Sequence, residues 1–125
     1  MVLINVKADC GNSPKMAFLK ELNIAFAELN RKFLMESVSD EIIWDIVGDK
    51  KIEGKENFAK ELEKIKTKRT AELTLLQILS HGKEGAANGL IKIEDGEKYA
   101  FSNFYKFIGA KGAKIKSITT YLIKF

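Results

Sequence analysis

Residues 98–107 read KYAFSNFYKF. Tyr99, Phe101, Tyr105 and Phe107 recur at every second position, with Asn103 in the middle of the row. An extended chain carries all five on one side, because successive side chains of a strand point to opposite faces. Four aromatic rings on one face mark that face as core. An amide placed among them needs hydrogen-bond partners if it is buried, or it marks the wall of a ligand pocket.

The period of two continues on both sides of this stretch. AELTLLQILSHG (71–82), GAANGLIKIE (85–94) and AKIKSITTYLIKF (113–125) are three more long strand candidates. GKEG, EDGE and IGAKGA connect them as turns, and the Asp95-Gly96 pair is the strongest short hairpin signal of the three. The apolar phase shifts between Ile115 and Ile118, which predicts a β-bulge and leaves Tyr121 free to face either way. The expected result is a four-stranded antiparallel meander.

The first half follows a helical period. In NSPK (12–15), Ser13 suits a helix N-cap and Pro14 the first helical position. Phe18, Leu22, Ala25, Phe26 and Leu29 then form one apolar face. Asn30 breaks this helix and caps a short second one that ends near Val38. In EIIWDIVG (41–48) both alternating faces are apolar except at Asp45, which predicts a strand covered on both sides. KIEG (51–54) returns as a short partner strand. Phe58, Leu62 and Ile65 form the buried stripe of a third helix. Residues 1–12 read as an irregular arm or short strand ahead of a single domain over 13–125. The fold class is α+β, with helices packed on one face of a strongly curved, mostly antiparallel sheet.

A chain of 125 residues with 46% hydrophobic and 30% charged residues is large enough for one packed core. The apolar run VLINV (2–6) is too short for a signal-peptide core or a membrane span. Cys10 is the only cysteine and makes no intrachain disulfide, so a cytoplasmic location is expected. The net charge of +4 comes from lysines interleaved with acids, as in KELEKIKTKR (60–69) and KKIEGKENFAKELEK (50–64). Such mixing reads as a solvated face, and nucleic-acid binding is not expected. Lys106, Lys111, Lys114, Lys116 and Lys124 form a second basic group without arginine or an aromatic platform. One cysteine and one histidine do not supply a closed metal-ligand set. AKGAK (110–114) reads as a hairpin turn, not a phosphate cradle. His81, in SHGKEG at a strand end, reads as a rim or surface residue.

The element order, together with WDIVG…IEG, HG…AANG, DG…YAFSNFYKF and KGAKIKSITTYLI, resembles the nuclear-transport-factor-2-like superfamily. Within it the chain is similar to the SnoaL-like and ketosteroid-isomerase-like branch, from about residue 13 to 125. The resemblance implies a cone: a bent sheet around the helices with a mostly apolar cavity at its wide end. It also implies dimers through the outer sheet face, where Thr74, Leu76 and Ile78 are expected beside Glu72. WDIVG overlays the segment in which ketosteroid isomerases place a catalytic Asp base. From the residues alone, apolar neighbours would raise the pKa of Asp45, while pairing with a Lys at a solvated edge is the alternative. NFYKF (103–107) replaces the family pattern D-V-x-R-F, so Asn103 stands where an Asp donates to the developing oxyanion. An amide N–H can also donate there. Trp44, Asn88, Leu90, Phe101, Tyr105 and Tyr121 are the expected ligand-binding neighbours.

The first helix contains no Tyr, so the full steroid-isomerising constellation is absent. The Asp–His and Asp–Arg–Asp sets of scytalone dehydratases and limonene epoxide hydrolases are not recoverable either. Two functions remain open. One is a cofactor-free isomerase, lyase or cyclase acting on a small carbonyl compound, with Asp45 as base and Asn103 as oxyanion donor. The other is a non-catalytic dimeric module that holds a small apolar molecule or a protein partner.

Overall fold

Ser13 and Asn30 decide where the helices begin. A computed structural model describes residues 1–109 and 114–125 of the chain. The Ser13 hydroxyl accepts from the Met16 N–H at 3.2 Å, and Pro14 opens α1 (Pro14–Glu28). Leu29 turns left-handed at φ 56° and ends the helix. The Asn30 side chain then accepts from the Phe33 N–H at 3.2 Å and starts α2 (Arg31–Ser37). α3 (Lys55–Ile65) follows Gly54, which has φ 87°. Its buried residues Phe58 and Leu62, with partly buried Ile65, are the stripe read from the sequence.

Seven strands form one mixed, curved sheet that is not closed. They are β1 (Leu3–Val6), β2 (Val38–Ile46), β3 (Lys50–Glu53), β4 (Thr70–His81), β5 (Glu84–Ile93), β6 (Lys98–Phe107) and β7 (Ile115–Lys124). Their order is β1-β4-β5-β6-β7-β2-β3. The meander β4 to β7 is antiparallel throughout, whereas β1 joins β4 and β2 joins β7 in parallel. The N-terminal arm is therefore a strand at the sheet edge, with Asn5 Nδ2 donating to Glu72 Oε2 at 2.7 Å. Helix α1 packs on β4 and β5, and α3 on β2 and β3. Leu19, Leu22, Leu34, Val38, Ile42, Leu73, Leu75, Phe107 and Ile115 fill the core between them.

Bulges bend the sheet and set which side chains point inward. The β6–β7 register slips between Lys106 and Phe107, so Ile115 and Ile118 both face the core, as the shifted phase required. A second slip lies between Leu75 and Gln77 on β4. It turns Ile78 inward, 3% exposed, and Leu79 outward, 64% exposed. Ile78 therefore does not share the outer face with Thr74 and Leu76. A second expectation also changes: EIIWDIVG is covered on one side only, since Ile43 and Val47 are exposed. The expected turn AKGAK lies almost wholly outside the described residues.

Gly89 shows how tightly the bulged strand is seated. A Cβ there would lie 2.0 Å from the Thr74 carbonyl oxygen and 3.1 Å from two carbons of the Phe101 ring. At Gly85 the obstacle is the Leu19 Cδ1 methyl at 2.6 Å, the movable end of a side chain. Backbone cannot yield as a methyl can. Gly89→Ala is expected to lower the unfolding free energy by about 3 kcal/mol in urea titrations, and Gly85→Ala by roughly half as much.

Candidate functional site

Between α1, α3 and the inner face of the sheet lies a cavity of about 490 Å³ that opens to solvent. Its walls are apolar: Phe26, Trp44, Ile46, Ile65, Leu73, Ile91, Ile93, Phe101, Ile118 and Leu122 contribute. Phe26, Trp44 and Phe58 form one aromatic cluster with ring centroids 5.4 to 6.3 Å apart, which fixes the wall on the α3 side.

At the inner end the polar residues are Asn23 from α1, Asn103 from β6 and Thr120 from β7. They belong to one hydrogen-bonded chain. The Trp44 indole N–H donates to Thr120 Oγ1 at 2.9 Å, and the Thr120 hydroxyl donates to Asn103 Oδ1 at 2.7 Å. Asn103 Nδ2 faces Asn23 Oδ1 at 3.5 Å. Asn23 Nδ2 donates to the Leu19 carbonyl at 2.8 Å and to the Tyr105 hydroxyl at 3.0 Å. Both ends fix the direction. An indole N–H only donates and a backbone carbonyl only accepts, so every amide between them has its oxygen toward Trp44 and its nitrogen toward Tyr105.

That direction decides what Asn103 can offer. Its amino group is held among Asn23 and Tyr105, which both interact with it. Its oxygen accepts from Thr120 and keeps one lone pair. The unused valence of this amide is an acceptor, where the sequence reading expects a donor to an oxyanion. Tyr105 sits behind this network, 1% exposed, and does not line the cavity. Burial pushes its phenol up to about 12, opposed by the hydrogen bonds from Asn23 and Asn103.

Asn103, Trp44 and Phe101 thus meet at one cavity, as expected. The other five expected residues, Tyr105 among them, do not. Trp44 and Ile46 face inward, so strand alternation puts Asp45 on the outer face, opposite Thr119 of β7 and Lys51 of β3. The expected proton-transfer base is separated from the cavity by its own strand. On β5 the inner positions are Gly85, Ala87 and Gly89, paired with Tyr105, Asn103 and Phe101. Asn88 and Leu90 therefore point outward, and Asn88 Nδ2 donates to Gln77 Oε1 at 3.0 Å. Tyr121 is also outward, 45% exposed, its ring edge-on to Phe104 at 6.1 Å. His81 is exposed at the end of β4.

Asn23, Thr120 and Glu61 were missed. Asn23 and Glu61 lie on helices read only for their apolar stripes, yet both are buried. Glu61 lines the cavity and pairs with Lys50 at 3.0 Å. Thr120 had a sequence signal: a hydroxyl one position before Tyr121, in the phase of Ile118. Among the described residues no three His, Cys, Asp or Glu side chains converge to hold a metal ion. Among the same residues no helix is long and apolar enough to cross a membrane.

Comparison of the whole fold places this geometry among known proteins. An NTF2-like protein of unknown function from Cytophaga hutchinsonii superposes with a TM-score of 0.67 at 19% identity, over 87% of this chain and 99% of that one. The chain has the nuclear-transport-factor-2-like fold. An LEH-like epoxide hydrolase of M. tuberculosis shares this fold at TM-score 0.72 and 12% identity, over 86% of this chain and 81% of the other. A Kribbella flavida protein provisionally named a ketosteroid isomerase shares it at TM-score 0.74 and 11% identity, over 86% and 76%. No family model matches the sequence, and no curated protein matches it.

The raised Tyr105 phenol has a consequence for stability. The folded state holds this proton up to about pH 12, whereas the unfolded chain releases it near 10. The stabilisation is complete below pH 10 and is lost as the pH rises through 12. Denaturant titrations over that interval are expected to show a steeper loss of stability in the native protein than in Tyr105→Phe.

Proposed function

We propose that this domain binds a small, mostly apolar molecule in the cavity and performs no acid–base chemistry on it. The observation that carries this reading is the composition of the inner end: two amides, a threonine hydroxyl and an indole, joined in one directed chain. None of these four groups titrates near neutral pH. The phenol behind them is pushed further from neutrality. The titratable lining residues come from the β2–β3 turn, α3 and its exit, and the start of β6. The free lone pair of Asn103 suits a ligand hydroxyl or N–H at the buried end. Several neighbours of this fold carry enzyme names, and a catalytic reading for this chain rested on Asp45, which lies on the other side of the sheet.

Trp44 is the single tryptophan and lines the cavity, so its emission reports occupancy. Titration with N-phenyl-1-naphthylamine, an uncharged aromatic probe, is expected to quench Trp44 in the native protein. Ala27→Trp fills the cavity from α1 and is expected to abolish saturable probe fluorescence while leaving the circular dichroism unchanged. Undiminished probe binding in that variant would place the site elsewhere.

The same domain is proposed to form a homodimer through the outer sheet face. Leu79, Leu90, Phe104, Tyr121 and Ile123 are exposed there on adjacent strands. Together they form an apolar patch of the kind that a second copy would cover. Sedimentation velocity at micromolar concentration is expected to give a dimer, and Phe104→Glu a monomer. A monomeric native protein would refute the interface.

A further inference from the structure

The lysine-rich segment EKIKTKRT (63–70) leaves α3 and enters β4 along the cavity mouth. Lys64, Thr67, Lys68 and Thr70 all line the opening. Its charges are not matched there as they are elsewhere on the charge-mixed surface. Lys50, on the opposite lip, is committed: its Nζ lies 3.2 and 3.0 Å from the two Glu61 oxygens. Lys68 shares one carboxylate with another ammonium group. Glu97 Oε1 accepts from Lys68 at 3.3 Å, and its Oε2 from Lys124 at 2.7 Å. Glu97 also accepts from the Tyr99 hydroxyl at 3.0 Å. Lys64 has no ion-pair partner among the described residues. It lies in the last turn of α3, where it partly offsets the negative end of the helix dipole.

This lip therefore holds three ammonium groups, Lys64, Lys68 and Lys124, against the carboxylates of Glu97 and Asp95, which both act on Lys68 and Lys124, so the uncompensated charge is that of Lys64. It stands over an apolar chamber. Such an arrangement favours a molecule whose apolar body enters the chamber and whose negative group stays at the opening. There the anion keeps part of its hydration and gains attraction from two flexible ammonium groups, at small desolvation cost. The Thr70 hydroxyl lines the same opening and can donate to the anion, whereas the Thr67 hydroxyl already donates to the Lys64 carbonyl at 2.9 Å.

Resting on the cavity-binding reading above, we propose that the ligand is an amphipathic carboxylate, its apolar part between Trp44, Ile91 and Phe101 and its carboxylate at Lys64 and Lys68. The segment read from the sequence as a solvated charged face is then the determinant of ligand class. Asp49, across the opening, selects against a head carrying more than one negative charge.

Decanoate and decan-1-ol share a body and differ in the head, so isothermal titration calorimetry on the full chain separates the two contributions. Decanoate is expected to bind about tenfold more tightly than decan-1-ol at low ionic strength, an advantage that shrinks as salt is added. Lys64→Glu combined with Lys68→Glu is expected to remove that advantage while leaving decan-1-ol within about twofold of its native affinity. Lys92→Glu, which makes on the outer face the same charge change as Lys64→Glu alone, is expected to leave both unchanged. Lys64→Glu alone breaks no ion pair and gives the same test should the double variant fail to fold. Equal affinity for the two compounds, or a decanoate preference that survives these substitutions, overturns the anionic head and leaves the cavity reading standing. Failure of both compounds and of N-phenyl-1-naphthylamine to bind overturns both.

Discussion

The hydrogen-bonded chain from the Trp44 indole to the Leu19 carbonyl is the constraint on which the inner end of this molecule depends. It links the three neighbouring strands β6, β7 and β2 to helix α1, which packs on the inner face of the sheet. Each buried polar group in it has a partner, and removing any one leaves a neighbour unsatisfied at a cost of about 1–3 kcal/mol. The network does more than stabilise. Because its two termini can act in only one sense, it orients Asn103 and thereby decides that the open site of the amide accepts and does not donate.

This orientation is one ground for the proposed reading of the domain as a binding module. A carbonyl isomerase needs a base at the reacting carbon and donors at the developing oxyanion. Here the carboxylate beside the tryptophan lies on the far side of the sheet, and the amide's hydrogens are held within the protein. The apolar walls, the neutral polar end and the charged opening instead form a gradient of polarity along one axis. That gradient matches a ligand with the same gradient, which is the property that joins the binding reading to the anionic head group.

Most of the architecture was legible because local signals agreed with one another. Ser13 and Asn30 cap the helices they were expected to cap, Asp95-Gly96 makes its turn, and the shifted phase between Ile115 and Ile118 is a bulge. The site was legible only where one face of a strand was clearly marked, as for Asn103 and Phe101. At EIIWDIVG both faces are apolar, so alternation alone did not choose between Trp44 and Asp45 as the inward residue. On β5 the usual equation of large apolar with inside holds for Ile91 and Ile93 but fails in the first half of the strand. Gly85, Ala87 and Gly89 are the inner residues because aromatic rings from β6 and a backbone carbonyl from β4 occupy the space above them. Leu90 is left outside. The bulge on β4 reversed Ile78 in the same way, and its signal is the apolar phase that shifts from Leu73 and Leu75 to Ile78, with polar Gln77 where alternation would place an inward residue.

The central claim is that a ligand reaches the polar inner end, and side-chain NMR tests it directly. In a titration with 1-naphthol, an apolar ring system bearing one hydroxyl donor, the Trp44 indole N–H and the Asn103 side-chain amide resonances should shift together and saturate at one equivalent. The Asn88 amide on the outer face should stay in place. Movement of the Asn88 signals with Trp44 and Asn103 unmoved would contradict the account.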